Sequence, residues 1–223
     1  MTKRKLSKVE IAYDKIFQQI MTTEFQPGQQ LEEKYLMEAL SIGRTPIREA
    51  LMRLEINMMV ESKSGKGFTV RPVTLQSTRA VFETLAILEK GVADLAATKE
   101  IETQLEKMAV ANQNLEKAAE AYDTLAMVKE NYSFHLAYAE CSHNEYLIHG
   151  ITAVQCETRR LAYLSFGNRI NDRKSLSEHY RTVIDEHQQI IDLLKTRDIE
   201  RLKHIIDLHA EAFKTRIVGF LVG

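Results

Sequence analysis

All seven histidines of this chain lie beyond residue 130, and three of them occupy positions where helical spacing calls for leucine. One apolar stripe runs Val183, Ile184, His187, Ile190, Ile191, Leu194, and a second runs Leu202, Ile205, Ile206, His209, Ala212, Phe213. A third runs Val128, Asn131, His135, Tyr138. An imidazole carried into an apolar interior must find hydrogen-bond partners there. A divalent metal shared by His135, His187 and His209 would satisfy one nitrogen of each ring at once. Asn131 precedes His135 by one helical turn, faces the same way and is the fourth candidate ligand. Imidazole ligands suit zinc first, with nickel or manganese as alternatives. Three core histidines, each with its own hydrogen bonds, would produce the same pattern, and periodicity leaves both readings open. His204, between Glu200, Arg201 and Asp207, is expected on a solvated face, and His143 in a turn.

A second kind of chemistry sits near the N-terminus. Arg44 and Arg48 lie four residues apart at the start of a helix introduced by Thr45 and Pro46. Cations at a helix start oppose the helix dipole, so arginines there need an external reason. A guanidinium in the DNA major groove can bridge two guanine acceptors. Lys66 stands between Gly65 and Gly67, where the backbone can approach a phosphate closely.

The elements that must position these residues fall into two parts. Pro27, Pro46 and Pro72 all lie in the first third. Short elements with tight turns are expected there, and long uninterrupted helices after it. The first part predicts a helix over 11–21, a turn at Pro27-Gly28, a helix over 31–40, a turn at 41–43 and a helix from Thr45. Val60–Lys63 and Phe68–Arg71 then form a β-hairpin with a glycine-rich tip. This is a winged helix-turn-helix, assigned to residues 1–76. From Ser77 the spacing predicts six helices, over about 77–98, 101–119, 121–141, 145–165, 175–195 and 198–218, with no strand between them. Residues 77–223 are thus an all-α antiparallel helix bundle, and the fold class is mainly α.

Composition narrows the function classes. With 44% hydrophobic and 27% charged residues the chain is an ordinary globular one. No apolar run approaches a membrane span, and no signal-peptide core follows the basic Met1–Lys5. Cys141 and Cys156 are too few for a disulfide framework, so a cytoplasmic location is expected and a membrane partner is not. Residues 1–75 carry 12 Lys and Arg against 9 Asp and Glu, whereas the rest carry 18 against 22. A basic head on an acidic body suits a polyanion partner for the head.

The run Arg44-Thr45-Pro46-Ile47-Arg48-Glu49-Ala50-Leu51, with Pro27-Gly28 before it and Gly65-Lys66-Gly67 after it, resembles the DNA-binding domain of the GntR family of bacterial regulators. The resemblance implies operator binding through Lys34, Arg44, Thr45, Arg48, Gly65 and Lys66; Lys34 stands where the family commonly has arginine. Ser41-Ile42-Gly43 replaces the family's usual Gly-Val-Ser at the turn, which places Ser41 in a left-handed conformation. Met58 replaces the glycine that usually ends the recognition helix, and Asn57 is expected to take that turn instead.

The second part resembles the FCD effector domain of the FadR-type branch of that family, on Asn131-Tyr132-Ser133-Phe134-His135, Asn144, Glu186-His187, Asp198 and His209. Six counted helices suit the shorter, VanR-like type. The resemblance implies a divalent metal at Asn131, His135, His187 and His209, with a carboxylate effector, an organic or sugar acid, in its open positions. Many relatives have Asp where this chain has Asn131. The arginine common on the first helix of the domain is missing from residues 83–89, leaving Arg159 and Arg160 to supply the cation.

The expected function is therefore that of a homodimeric DNA-binding repressor, not an enzyme, controlled by a small carboxylate. Two alternatives are a metal-dependent hydrolase-like enzyme and a regulator whose body is metal-free and structural. Against the hydrolase, Glu186 adjoins His187 but projects about 100° away from it around the helix.

Overall fold

A computed structural model describes residues 6–63, 67–166 and 173–222, with six helices in the second part among the described residues. Its contacts divide the chain between Val73 and Thr74 into two compact units.

The first unit contains α1 (Lys8–Met21), β1 (Gln30–Leu31), α2 (Glu33–Leu40), α3 (Arg44–Ile56), β2 (Val60–Lys63) and β3 (Gly67–Val70). α1 starts three residues earlier than its apolar stripe suggests. Ser7 and Glu10 form a capping box, with Ser7 Oγ accepting from Glu10 N at 3.2 Å and Glu10 Oε2 accepting from Ser7 N at 2.8 Å. α2 starts later than expected, because Gln30 and Leu31 pair with Thr69 and Phe68 as a third antiparallel strand, in the order β1-β3-β2. Two residues are too few for a periodicity to reveal. Ile16, Ile20, Leu36, Ile47, Leu51, Leu54 and Val70 close the core beneath this sheet.

Two left-handed turns were marked by the sequence, one of them at the wrong residue, and a third, Thr23 at φ 58° after α1, was not. Ser41 ends α2 in the left-handed region, at φ 53°. At the end of α3, however, Met58 takes the left-handed conformation (φ 57°), while Asn57 stays at φ −82°. The Asn57 side chain is engaged elsewhere: its Nδ2 donates to Tyr13 Oη at 2.7 Å, tying α3 to α1. The flexible Met58 side chain remains exposed, so only its backbone is constrained.

The second unit is a bundle of α4 (Leu75–Ala96), α5 (Glu102–Glu120), α6 (Thr124–Glu140), α7 (Glu145–Phe166), α8 (Arg173–Thr196) and α9 (Ile199–Val222). α4 opens with a capping exchange between Thr74 and Ser77, and α6 with Asp123 Oδ1 accepting from Ala126 N at 3.0 Å. α5 packs on α6 and α8, and α4 on α7 and α9. Val92, Met108, Phe134, Ile190, Ile191, Leu202 and Ile206 form the centre of the core. Cys141 and Cys156 are free and buried, and burial pushes the Cys141 thiol up to about 12, so both behave as small apolar groups.

Met58→Gly should raise the unfolding free energy by about 0.5–1 kcal/mol. A left-handed Cβ costs about 1–2 kcal/mol, and glycine's greater freedom in the unfolded chain offsets part of that gain. Urea denaturation measures it; a lower midpoint would contradict the assignment of the turn to Met58.

Candidate functional site

The bundle brings together the three histidines read from separate stripes. Nitrogens of His135 on α6, His187 on α8 and His209 on α9 all lie within 4.8 Å of one another, and all three side chains are buried. His135 Nε2 and His209 Nε2 are 3.3 Å apart. His187 lies flat against Phe134, with ring centroids 3.6 Å apart and planes 2° from parallel.

Each ring is held from behind. His135 Nδ1 is 3.0 Å from Glu89 Oε1, His187 Nδ1 is 3.2 Å from Asn112 Oδ1, and His209 Nδ1 is 2.6 Å from Glu186 Oε2. The Nε2 atoms are thereby left to point inward, and His187 Nε2 is buried with no hydrogen-bond partner among the described residues. This is the arrangement a histidine-ligated metal uses: one ring nitrogen on the ion, the other hydrogen-bonded to protein. The triad could hold a metal ion.

The centre opens on an apolar cavity walled by Phe82, Leu85, Val128, Val183 and Phe213. His135, His209 and Asn131 face this cavity, so Asn131 shares the space with the triad. Arg159 also lines it, with its guanidinium 4.4 Å from the centroid of the Tyr132 ring. Arg160, the other expected effector cation, is not among the cavity residues. It is turned into the bundle, 1% exposed, and its guanidinium is 2.6 Å from Glu157 Oε1. The one-residue step from Arg159 rotates its side chain about 100° around α7, which accounts for the separation. His179 lines the cavity as well, its pKa lowered to about 4 by burial and by the positive charges of Arg216 and His209. His204 is exposed, and His143 sits in a turn at φ 50°.

Three holders were missed in the sequence, although two carried a signal. Glu89 interrupts the α4 stripe Leu85, Val92, Ala93, Ala96, and Asn112 interrupts the α5 stripe Met108, Ala111, Leu115. A polar residue on an apolar stripe is the criterion that singled out the histidines. Glu186 does project away from His187, and that direction takes it to His209 on the next helix.

In the first unit, Arg44, Thr45 and Arg48 are exposed at the start of α3, and Lys34 is exposed on α2. Glu33 fans out between the two arginines, 2.9 Å from Arg44 Nε and 4.0 Å from an Arg48 terminal nitrogen. It supplies the counter-charge that cations at a helix start require, and no local spacing announced it. An exposed pair of this kind is worth about 0–1 kcal/mol and gives way readily to a stronger anion. Gly65 and Lys66 lie outside the described residues.

A winged helix followed by a helical bundle around a buried histidine triad defines a class, the two-domain transcriptional regulators. Comparison with known proteins agrees. Residues 8–70 match the family of bacterial regulatory proteins called gntR, and residues 80–212 match the FCD domain. The Bacillus subtilis HTH-type transcriptional regulator LutR is 30% identical over 185 residues, covering 73% of this chain and 83% of LutR. The Uxu operon transcriptional regulator of Escherichia coli is 27% identical over 217 residues, covering 90% of this chain and 83% of its own length. The structure of E. coli McbR/YncC superposes with a TM-score of 0.78 at 24% identity, over 97% of this chain and 98% of that one. The chain belongs to the GntR family, in the FadR-type branch that carries an FCD domain, and these relatives are transcriptional regulators, not enzymes. No helix among the described residues is long and apolar enough to cross a membrane.

Burial, and then the charges of His209 and His135, hold the His187 pKa well below its ordinary value. The unfolded chain therefore takes up a proton at this residue first as pH falls. In metal-free protein the contribution to stability is complete above about pH 7 and declines as pH drops through about 6.5. Urea midpoints measured against pH should show this decline, and His187→Leu should make it shallower.

Proposed function

We propose that this regulator is a homodimeric repressor whose operator binding is controlled by a small carboxylate bound beside a metal ion in the FCD domain. The observation that carries this reading is the triad itself. Three imidazoles have their Nδ1 atoms engaged by acceptors, and their remaining nitrogens converge beside an apolar cavity. His135, His187 and His209 would hold the ion, with Asn131 as a weaker neutral fourth ligand, since an amide oxygen attracts a cation less than a carboxylate does. Zinc fits three imidazoles best, with nickel or manganese as alternatives. A three-histidine site leaves open positions for an anionic oxygen. Arg159, on the same cavity, is the cation that would meet the rest of an organic or sugar acid.

In the metal-free alternative the 3.3 Å contact between His135 Nε2 and His209 Nε2 sets two acceptor nitrogens against each other, and His187 Nε2 stays bare in the core. A buried unpaired polar atom costs about 1–3 kcal/mol, which favours the ion. Repression is supported by two relatives named as repressors, a probable D-xylose utilization operon repressor of Paenarthrobacter nicotinovorans and NanR of Salmonella newport. The dimer is supported by the economy of DNA recognition: one winged helix offers few phosphate contacts, and two-fold proteins match palindromic half-sites.

Protein purified from zinc-supplemented medium should carry metal. His187→Ala should remove it, His204→Ala should not, and the site should empty below about pH 5, where imidazoles are protonated. Metal-free wild-type protein would overturn the metal reading. A thermal-shift screen of organic and sugar acids on the loaded protein identifies the effector by a raised Tm.

On operator DNA, Arg48→Ala should cost about 1–3 kcal/mol and relax preference at one base pair, whereas Lys66→Ala should weaken binding to all sequences alike. Wild-type affinity in both variants would show that another face reads the DNA.

A further inference from the structure

We propose that Glu89, Asn112 and Glu186 are positioning residues of the metal centre. Each fixes the tautomer of one histidine, and the two carboxylates provide the negative charge that matches a divalent ion. The proposal rests on the metal reading given above.

The hydrogen-bond chemistry determines the His187 tautomer outright, and with ionised carboxylates it determines the other two. Asn112 Nδ2 donates to the Ile184 carbonyl at 3.1 Å, so its Oδ1, an acceptor only, is the atom that meets His187 Nδ1. His187 Nδ1 must then carry the hydrogen, and Nε2 carries the lone pair. An ionised carboxylate accepts and cannot donate, so Glu89 and Glu186 impose the same tautomer on His135 and His209. Neutral rings held in this way present three lone pairs to one small space, an arrangement that a cation relieves.

Charge is the second half of the matter. Three neutral imidazoles and an amide leave the two positive charges of a divalent ion uncompensated in an apolar interior, where an unpaired charge is costly. Glu89 is 2% exposed and Glu186 is largely buried, and each accepts a hydrogen bond from a candidate ligand ring. Two carboxylates against two positive charges neutralise the centre through the rings. Glu89 is itself anchored, because Tyr138 Oη donates to its backbone carbonyl at 2.8 Å. His187 has a neutral holder, so it differs from the other two and completes the site without adding charge.

The test uses the full chain with zinc alone as the probe, its affinity measured by competition with a chromophoric chelator. Glu89→Gln and Glu186→Gln keep an acceptor oxygen but lose the charge, and each should weaken zinc binding about 10–100-fold. Asp185→Asn, which alters an exposed carboxylate beside Glu186, should leave affinity within about twofold, since surface charges away from such features contribute little. Nitrogen-15 shifts of labelled histidines in metal-free protein give an independent readout. His135 and His209 should carry the hydrogen on Nδ1 in wild type and in the Gln variants, and lose that preference in Glu89→Ala and Glu186→Ala respectively. Wild-type protein that binds zinc while both Gln variants bind it equally well overturns this proposal alone. Wild-type protein that takes up no zinc overturns the metal reading and the proposal with it.

Discussion

Burying three imidazoles in an apolar bundle commits the rest of the helical domain to holding them. Each ring brings in a donor and an acceptor, and leaving such a group unpaired inside costs about 1–3 kcal/mol. The partners come from elsewhere in the chain: Glu89 from α4, Asn112 from α5 and Glu186 from α8, reaching rings on α6, α8 and α9. Five of the six body helices are therefore tied to one point. A slip of one residue along any of them would break a polar contact as well as apolar packing, so the centre sets the register of the bundle.

The winged helix works under a different constraint, the need to keep positive charge exposed at a helix start. Gly43 precedes α3 and offers no side-chain cap, and Arg44 and Arg48 follow at once. Glu33 on the preceding helix offsets their charge while leaving both guanidiniums at the surface. Among its described residues the same unit tolerates three left-handed non-glycine residues, Thr23, Ser41 and Met58, one following each of its helices. The closely packed core of Ile16, Ile47, Leu51 and Leu54 offsets that local cost.

What the sequence disclosed follows from how far each signal reaches along the chain. The six body helices and the three histidines were legible because apolar residues recur over many turns and a polar intruder stands out against them. By the same standard Glu89 and Asn112 were legible, yet a glutamate or asparagine on a stripe draws less notice than a histidine. β1 was not legible, since its two residues become a strand only through the partner provided by β3. Glu33 and the pairing of Glu186 with His209 depend on neighbours brought together by folding, which no local spacing encodes. Arg159 and Arg160 are adjacent in the chain and diverge in space, one toward the cavity and one into an ion pair with Glu157.

The parallel contact between His187 and Phe134 bears on time as well as on geometry. A ring that lies fully buried against another at 3.6 Å cannot swing aside without opening the core around it. That wall therefore yields only when the core opens locally, a rare event. An ion held there would exchange from the cavity side, which His135, His209 and Asn131 face. A centre built in this way would have one immovable ring and one approachable side, so an ion and an anion would reach it from the same direction.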